Sequence, residues 1–328
     1  MRNNRSVASQ PVEPPALALD VTDRLRTSDG TVVIDPPGDG YGYWAGGPSA
    51  VFHDGTYWLA YRLRRPVTEG RGYANVVARS QDGVHFETVA TVTSAQFECA
   101  SLERPALVPL PGGGWRLYVS CSTLNSKHWW VESIEAENVA ELATGHRTVV
   151  LPGDAATAWK DVVVSHTPEH GWQMWACRHP LDGGDDAADR MSTWYATSTD
   201  GLAWTFTDAP ALAANADSDD WDRRGRRVGG VAPVDGVWMM LYDGRADASE
   251  NWEERTALAV GADPAHFEPV PMEPVGGHLR AATGLRYSSF LADPGGGLRV
   301  YYETSRPDGA HDLRTEYVPR PFSDSQSE

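Results

Sequence analysis

The chain has 328 residues, with 28 Lys+Arg against 45 Asp+Glu and a formal net charge of −17 at pH 7. That balance repels nucleic acids and anionic membrane surfaces at long range, so the expected partner is a small molecule. With 13 Trp, 12 Tyr, 32 Gly and 23 Pro, the composition favours short aromatic strands joined by tight turns, and hence an all-β fold.

The N-terminal MRNNRSVASQPVEPPALALD carries basic residues but no continuous apolar core of signal-peptide length. No later segment is apolar enough to span a bilayer as a helix, and cytoplasmic residence is the expectation. Polar and Pro- or Ser-rich composition predicts mostly disordered ends over residues 1–28 and 319–328. Residues 29–318 between them read as a single domain. The segment TVVI, Thr31 to Ile34, has no partner in its own repeat and is expected to pair with the end of the chain and close the structure. GDGYG at Gly38 to Gly42 looks like a phosphate loop, but no helix pattern follows it and no Lys-Ser/Thr ends it, so it reads as a rim loop.

A turn glycine followed by alternating aromatic and aliphatic residues recurs along the chain, in HDGTYWLAYR, GGGWRLYVSC, EHGWQMWACR, VDGVWMMLYD and GGGLRVYYET. The glycines Gly55, Gly114, Gly171, Gly236 and Gly297 stand about 60 residues apart, the length of one four-stranded blade. Before each lies a short hydrophobic run, in order GPSAVF, RPALVPL, KDVVVS, VGGVAPV and YSSFLA, so every repeat contains a hairpin. SQDGVHF, STDGLAW and the weaker GADPAHF mark a turn between the third and fourth strands. The predicted fold is a five-bladed β-propeller of four-stranded antiparallel blades around a central channel. Its innermost strands begin near Pro48, Pro105, Asp161, Gly229 and Tyr287. A β-sandwich with a second β domain is the weaker alternative.

In such a fold the start of strand one and the end of strand two share one rim, where side chains converge. Strand-one starts supply Gly47 and Pro48, Glu103 and Arg104, Lys160 and Asp161, Arg227 and Val228, and Arg286 and Tyr287. Strand-two ends add Arg62, Cys121, Arg178, Asp243 and Glu303. So many opposite charges pointing inward imply either a polar ligand or ion pairs satisfying one another around a channel.

The stretches YWLAYR with SQDGVHF, LERPALV, WKDVVV and RVGGVAPVDGVWMMLYDGR together resemble the five-bladed glycoside-active propellers. The resemblance is strongest to family 130 of the glycoside hydrolases and phosphorylases and more distant to families 43 and 32. It implies a basic sugar- or phosphate-binding rim at Arg62, Lys160 and Arg178, and it sets Glu103 at the acidic start of an EDPR-like motif. The chain departs from these patterns where Arg104 replaces the motif's aspartate and Asp243 the histidine of a YHG-like turn. Gly47 likewise stands where family 43 has its first-blade aspartate.

Glycoside hydrolysis needs one carboxylic acid to protonate the leaving oxygen and one carboxylate to activate water or attack carbon. Asp161, Glu103 and Asp243 are the catalytic candidates; Arg62, Arg104, Lys160, Arg178, Arg286, Tyr287 and Glu303 are the substrate-binding candidates. Asp161 is the first choice for a base or sugar-hydroxyl ligand, with an ion pair to Lys160 equally compatible. Glu103 beside Arg104 favours the ionised form, which suits a salt bridge better than proton donation. The Trp-rich SKHWW and ENWEER are candidates for stacking on a sugar ring or for core packing. Cys99, Cys121 and Cys177 form neither a disulfide framework nor a zinc motif, and neither a cofactor nor a metal is expected. A propeller acting on a non-carbohydrate metabolite, a family-130-like phosphorylase and a binding protein without turnover are the alternatives to a glycoside hydrolase.

Overall fold

The computed structural model describes residues 12–182, 184, 190–276 and 284–320. Helix α1 (Ala16–Thr27) precedes the first strand and buries Leu17, Ala18, Val21 and Leu25. The sequence reading anticipated no element here; in fact the apolar residues of ALALDVTDRL repeat at three- and four-residue spacing and form one helical face. That face packs into a cluster with Leu258, Val260, Leu285, Val300 and Val318.

The strands follow in chain order as β1 (Thr31–Ile34), β2 (Trp44–His53), β3 (Thr56–Arg64), β4 (Gly72–Ser80), β5 (Glu87–Thr93), β6 (Ser101–Leu102) and β7 (Ala106–Pro109). Next come β8 (Trp115–Ser122), β9 (Trp129–Ala136), β10 (His146–Leu151), β11 (Thr157–Thr167), β12 (Gly171–Pro180), β13 (Ser192–Ser198) and β14 (Thr205–Phe206). The last are β15 (Gly225–Val234), β16 (Val237–Arg245), β17 (Arg255–Asp263), β18 (His266–Pro269), β19 (Leu285–Ala292), β20 (Leu298–Ser305) and β21 (His311–Val318).

Two four-stranded antiparallel sheets have the simple orders β11-β12-β13-β14 and β15-β16-β17-β18. A third holds β6 to β10, with β6 and β7 both paired to β8. The remaining eight strands form one sheet, whose halves β2-β3-β4-β5 and β19-β20-β21-β1 are joined as a sheet through a parallel pair at Trp44 and His311. TVVI joins the chain end as anticipated, with Thr31 opposite Thr315 and Val32 opposite Arg314.

The recurrent hairpins follow from their turns. At Asp54-Gly55 and Asp235-Gly236 both residues have positive φ, 48° and 73° in the first and 49° and 82° in the second. This is the pattern of a two-residue turn whose twist matches that of the strands it joins. In the DG segments between third and fourth strands the Asp side chain does more of the shaping: Asp82 accepts the Val84 and His85 N–H groups, and Asp200 those of Leu202 and Ala203.

The first strands β2, β7, β11, β15 and β19 touch one another in that cyclic order, β19 returning to β2. Most start earlier than the hydrophobic runs suggest: at Trp44, Thr157, Gly225 and Leu285 in place of Pro48, Asp161, Gly229 and Tyr287. The reason is a register break inside each of these strands, between Gly46 and Ser49, Lys160 and Val163, Val228 and Val231, and Arg286 and Ser289. Glycines and charged residues at the break look like strand termini, while the strand continues through them.

Candidate active site

The register breaks set the site. Asp161 and Tyr287 stand at equivalent points in β11 and β19 with φ of 55° and 51°, a backbone region unfavourable for both residue types. A bulge of this kind re-aims the side chain, here toward the ends of β3, β16 and β20, where Arg62, Asp243 and Glu303 lie. Gly46, at the break in β2, leaves the space that the Glu303 carboxylate fills, because any Cβ there would run into it.

The result is a buried network. Arg62 pairs with Glu103 and donates from Nη2 to Glu303 Oε2 at 3.1 Å. Arg286 donates from Nε and Nη2 to Glu303 Oε1 at 2.9 and 2.8 Å, and from Nη1 to Glu254 Oε2 at 2.8 Å. His311, stacked on Trp44, completes the Glu303 shell at 2.7 Å through Nδ1. Arg227 donates from Nη2 to Asp243 Oδ2 at 3.0 Å and from Nη1 to the Tyr287 hydroxyl at 3.0 Å. That hydroxyl in turn donates to Asp161 Oδ2 at 3.4 Å, and Lys160 Nζ lies 3.4 Å from the same oxygen. The Tyr287 ring is held among the guanidinium groups of Arg227, Arg62 and Arg286, 3.8, 5.3 and 5.2 Å from its centroid.

Above the network opens a cavity of about 210 Å³ whose wall includes Arg62, Glu103, Lys160, Arg227, Glu254, Arg286 and Tyr287. Asp161 and Asp243 stand behind that wall, both fully buried. Asp161 Oδ1 has no hydrogen-bond partner among the described residues, whereas Asp243 is saturated: Oδ1 accepts from Thr256 at 2.9 Å and Oδ2 also accepts the Tyr287 N–H at 2.9 Å.

The carboxyl groups divide electrostatically. Burial would raise Glu103, but the cations Arg62, Lys160, Arg64 and Arg71 outweigh it and hold its carboxyl down at about 2. Glu254 and Glu303 are likewise driven well below the ordinary range: burial opposes this, and Arg286 with Arg227 or Arg62 overcomes it. At Asp243 burial wins over Arg227 and the Tyr287 N–H, and the group is raised.

Of the residues expected at the rim, Arg62, Glu103, Lys160, Asp161, Asp243, Arg286, Tyr287 and Glu303 come together here. Arg104 does not. Its guanidinium donates to the carbonyls of Pro48, Val228, Gly229 and Ser288 at 2.7–3.2 Å and borders a second cavity of about 190 Å³. It ties the first strands together, because five donors on a planar fork match converging carbonyls. Arg178 also lies elsewhere, bonded to Thr157 Oγ1 and stacked on Trp194. Its neighbour Cys177 faces inward in its place, with a thiol that burial pushes up to about 12.

Sequence reasoning missed Glu254 as a carboxylate of the site, and Arg64, Arg71 and Arg245 on its wall. Glu254 precedes β17, outside the rule that searched only first and second strands. Its signal was present in ENWEER, read for its tryptophan alone. Trp129 of SKHWW and Trp252 of ENWEER do border the cavity. Lys160 and Arg71 lie over Trp129, at 5.0 and 5.9 Å.

No protein-family model and no curated protein matches the sequence. Solved structures do match over nearly the whole chain. A thermostable family-43 glycoside hydrolase aligns at 16% identity and a TM-score of 0.66, covering 90% of this chain and 94% of its own. The endo-arabinase from Bacteroides thetaiotaomicron aligns at 12% and 0.61, covering 90% and 99%. A member of the GH130 family of mannoside phosphorylases, which contains glycoside hydrolases that target β-1,2 mannosidic linkages, aligns at 14% and 0.57, covering 88% of each. At these identities the likeness is one of architecture, and the chain has the fold of glycoside hydrolases of families 43 and 130, the group it was expected to resemble.

Proposed function

We propose that residues 29–318 form a single five-bladed propeller and that its polar cavity hydrolyses a glycosidic bond in a small glycoside or oligosaccharide. The cyclic order of contacts among β2, β7, β11, β15 and β19 supports the architecture. The observation that carries the chemistry is Asp161: a fully buried carboxylate with one unpartnered oxygen, in a left-handed backbone, directly behind a cavity lined by its partners Lys160, Arg227 and Tyr287. A buried unpaired acceptor is costly, and a donor that reached Oδ1 from the cavity, past Lys160 and Tyr287, would relieve it.

In this reading Asp161 is the base, acting on a water or substrate hydroxyl. Asp243, the raised carboxyl, is the group suited to retain a proton. Glu103, held ionised, accepts hydrogen bonds from substrate hydroxyls. Arg62, Lys160, Arg286, Tyr287 and Glu303 shape the wall that orients the ring. Arg104 and Arg178 bind no substrate here, since their guanidinium groups are engaged elsewhere. A non-carbohydrate metabolite is the second reading, favoured by one observation: both acidic residues on the cavity wall among the described residues, Glu103 and Glu254, are already committed to arginines.

The deciding assay is a panel of aryl glycosides and oligosaccharides with and without inorganic phosphate. Release of reducing sugar without phosphate is the expected outcome. Strict phosphate dependence makes the enzyme a phosphorylase instead, and inertness toward every glycoside favours the non-carbohydrate reading.

A further inference from the structure

The inner network is balanced: Arg62, Lys160, Arg227, Arg245 and Arg286 face Glu103, Asp161, Asp243, Glu254 and Glu303. Three more cations stand on the cavity wall, Arg64, Arg71 and Lys127; of these, Arg64 and Arg71 have no carboxylate of their own among the described residues. Arg64 is 3% exposed and is sandwiched against Trp44 and Trp252, 4.3 and 5.7 Å from the ring centroids. Its Nε has no hydrogen-bond partner among the described residues. Its one ion pair among the described residues is a 3.9 Å approach to Glu103, which already serves Arg62. Arg71 has a buried, unpartnered Nε, a left-handed φ of 58° and no carboxylate within ion-pair distance among the described residues. A desolvated guanidinium without a counter-charge is expensive to maintain. Burial, reinforced by Arg62, Arg71 and Arg286, pulls Arg64 down to about 10 against the lone attraction of Glu103. All this occurs in a chain whose overall charge is −17, so a positive excess among the described residues of one cavity is a local device.

We propose that the ligand of this cavity carries an oxyanion, a sugar carboxylate or sugar phosphate ester, which Arg64 and Arg71 receive. Guanidinium groups bind such groups through paired, charge-assisted hydrogen bonds. The inference rests on the reading of the cavity as a sugar site and adds that the sugar is acidic.

Titration calorimetry on the full chain tests it with matched sets: neutral sugars, their uronate and phosphate-ester counterparts, citrate as a non-sugar carboxylate, and inorganic phosphate. The expected result is at least about tenfold tighter binding of the charged sugar than of its neutral match, weakening as salt rises. Arg64→Gln and Arg71→Gln should each narrow that preference several-fold; the second, half-buried site guards against misfolding of the first. Whether uronate or phosphate ester binds tighter identifies the source of the oxyanion. Equal affinity for neutral and charged sugars, or a preference untouched in both variants, overturns the proposal. Binding of inorganic phosphate with no preference among sugars also overturns it, marking a co-substrate site. Arg64-dependent binding of citrate with no sugar bound removes the sugar reading and leaves oxyanion recognition standing, while binding by no member of the set overturns both.

Discussion

Asp161 is the residue on which the proposed chemistry is most exposed to test. Asp161→Asn keeps the shape and removes the negative charge, so kcat should fall by about 10²–10⁴ with the fold intact. Near-native kcat in a folded variant on the true substrate would eliminate it as the base. Glu303 makes a different prediction, because it is the shared counter-ion of Arg62 and Arg286. Glu303→Gln takes one of two counter-ions from each of two buried guanidinium groups, which keep Glu103 and Glu254, and should cost about 3 kcal/mol of stability, measured by chemical denaturation. The same logic gives a pH dependence. Glu103, Glu254 and Glu303 have depressed folded-state values, so their stabilisation is full above the unfolded carboxyl value of about 4.3 and is lost as pH falls through the folded values. Asp243 is raised and works the other way, costing stability where it is ionised and recovering it on protonation. With three groups against one, the denaturation midpoint should drop steeply below about pH 4. A midpoint unchanged at pH 2.5 would show that the network contributes little.

At the scale of elements, the hairpins were legible because turn chemistry is local. An Asp-Gly pair fixes two dihedral signs without reference to the rest of the chain, and the aromatic alternation after it fixes a face. The register breaks were not legible in the same way. At Lys160-Asp161 and Arg286-Tyr287 the conformation depends on where the neighbouring strand ends and on which charge waits across the channel. The site was therefore found approximately, through the rule that strand ends converge, and Glu254 escaped because that rule ignored third strands. Arg104 was misplaced for a related reason: a charge at a strand start reads as ligand-facing, and only the carbonyls of three other segments reveal a different duty. Arg104→Met leaves those carbonyls unsatisfied and should destabilise the protein by at least about 3 kcal/mol. Helix α1 was hidden among prolines and polar residues, yet Leu17 is 1% exposed. Leu17→Ala should cost about 2–5 kcal/mol in the same denaturation assay, whereas a dispensable N-terminal arm would show no change.

For the molecule as a whole, the seam between Trp44 and His311 and the pairing of β1 with β21 join the two ends of the described chain. Contacts of that sequence separation form late, because the loop entropy must be spent before any bond rewards it. During synthesis the consequence is directional. β1 is translated long before its partner β21, and until β21 leaves the ribosome two strand edges stay unpaired and the cluster around α1 lacks Val318. Such intermediates are the ones that associate with one another. A chain stopped after Ser305, with only β21 and the tail missing, should thus be readily cleaved by protease and concentration-dependent in its solubility, although it retains every residue of the proposed catalytic apparatus.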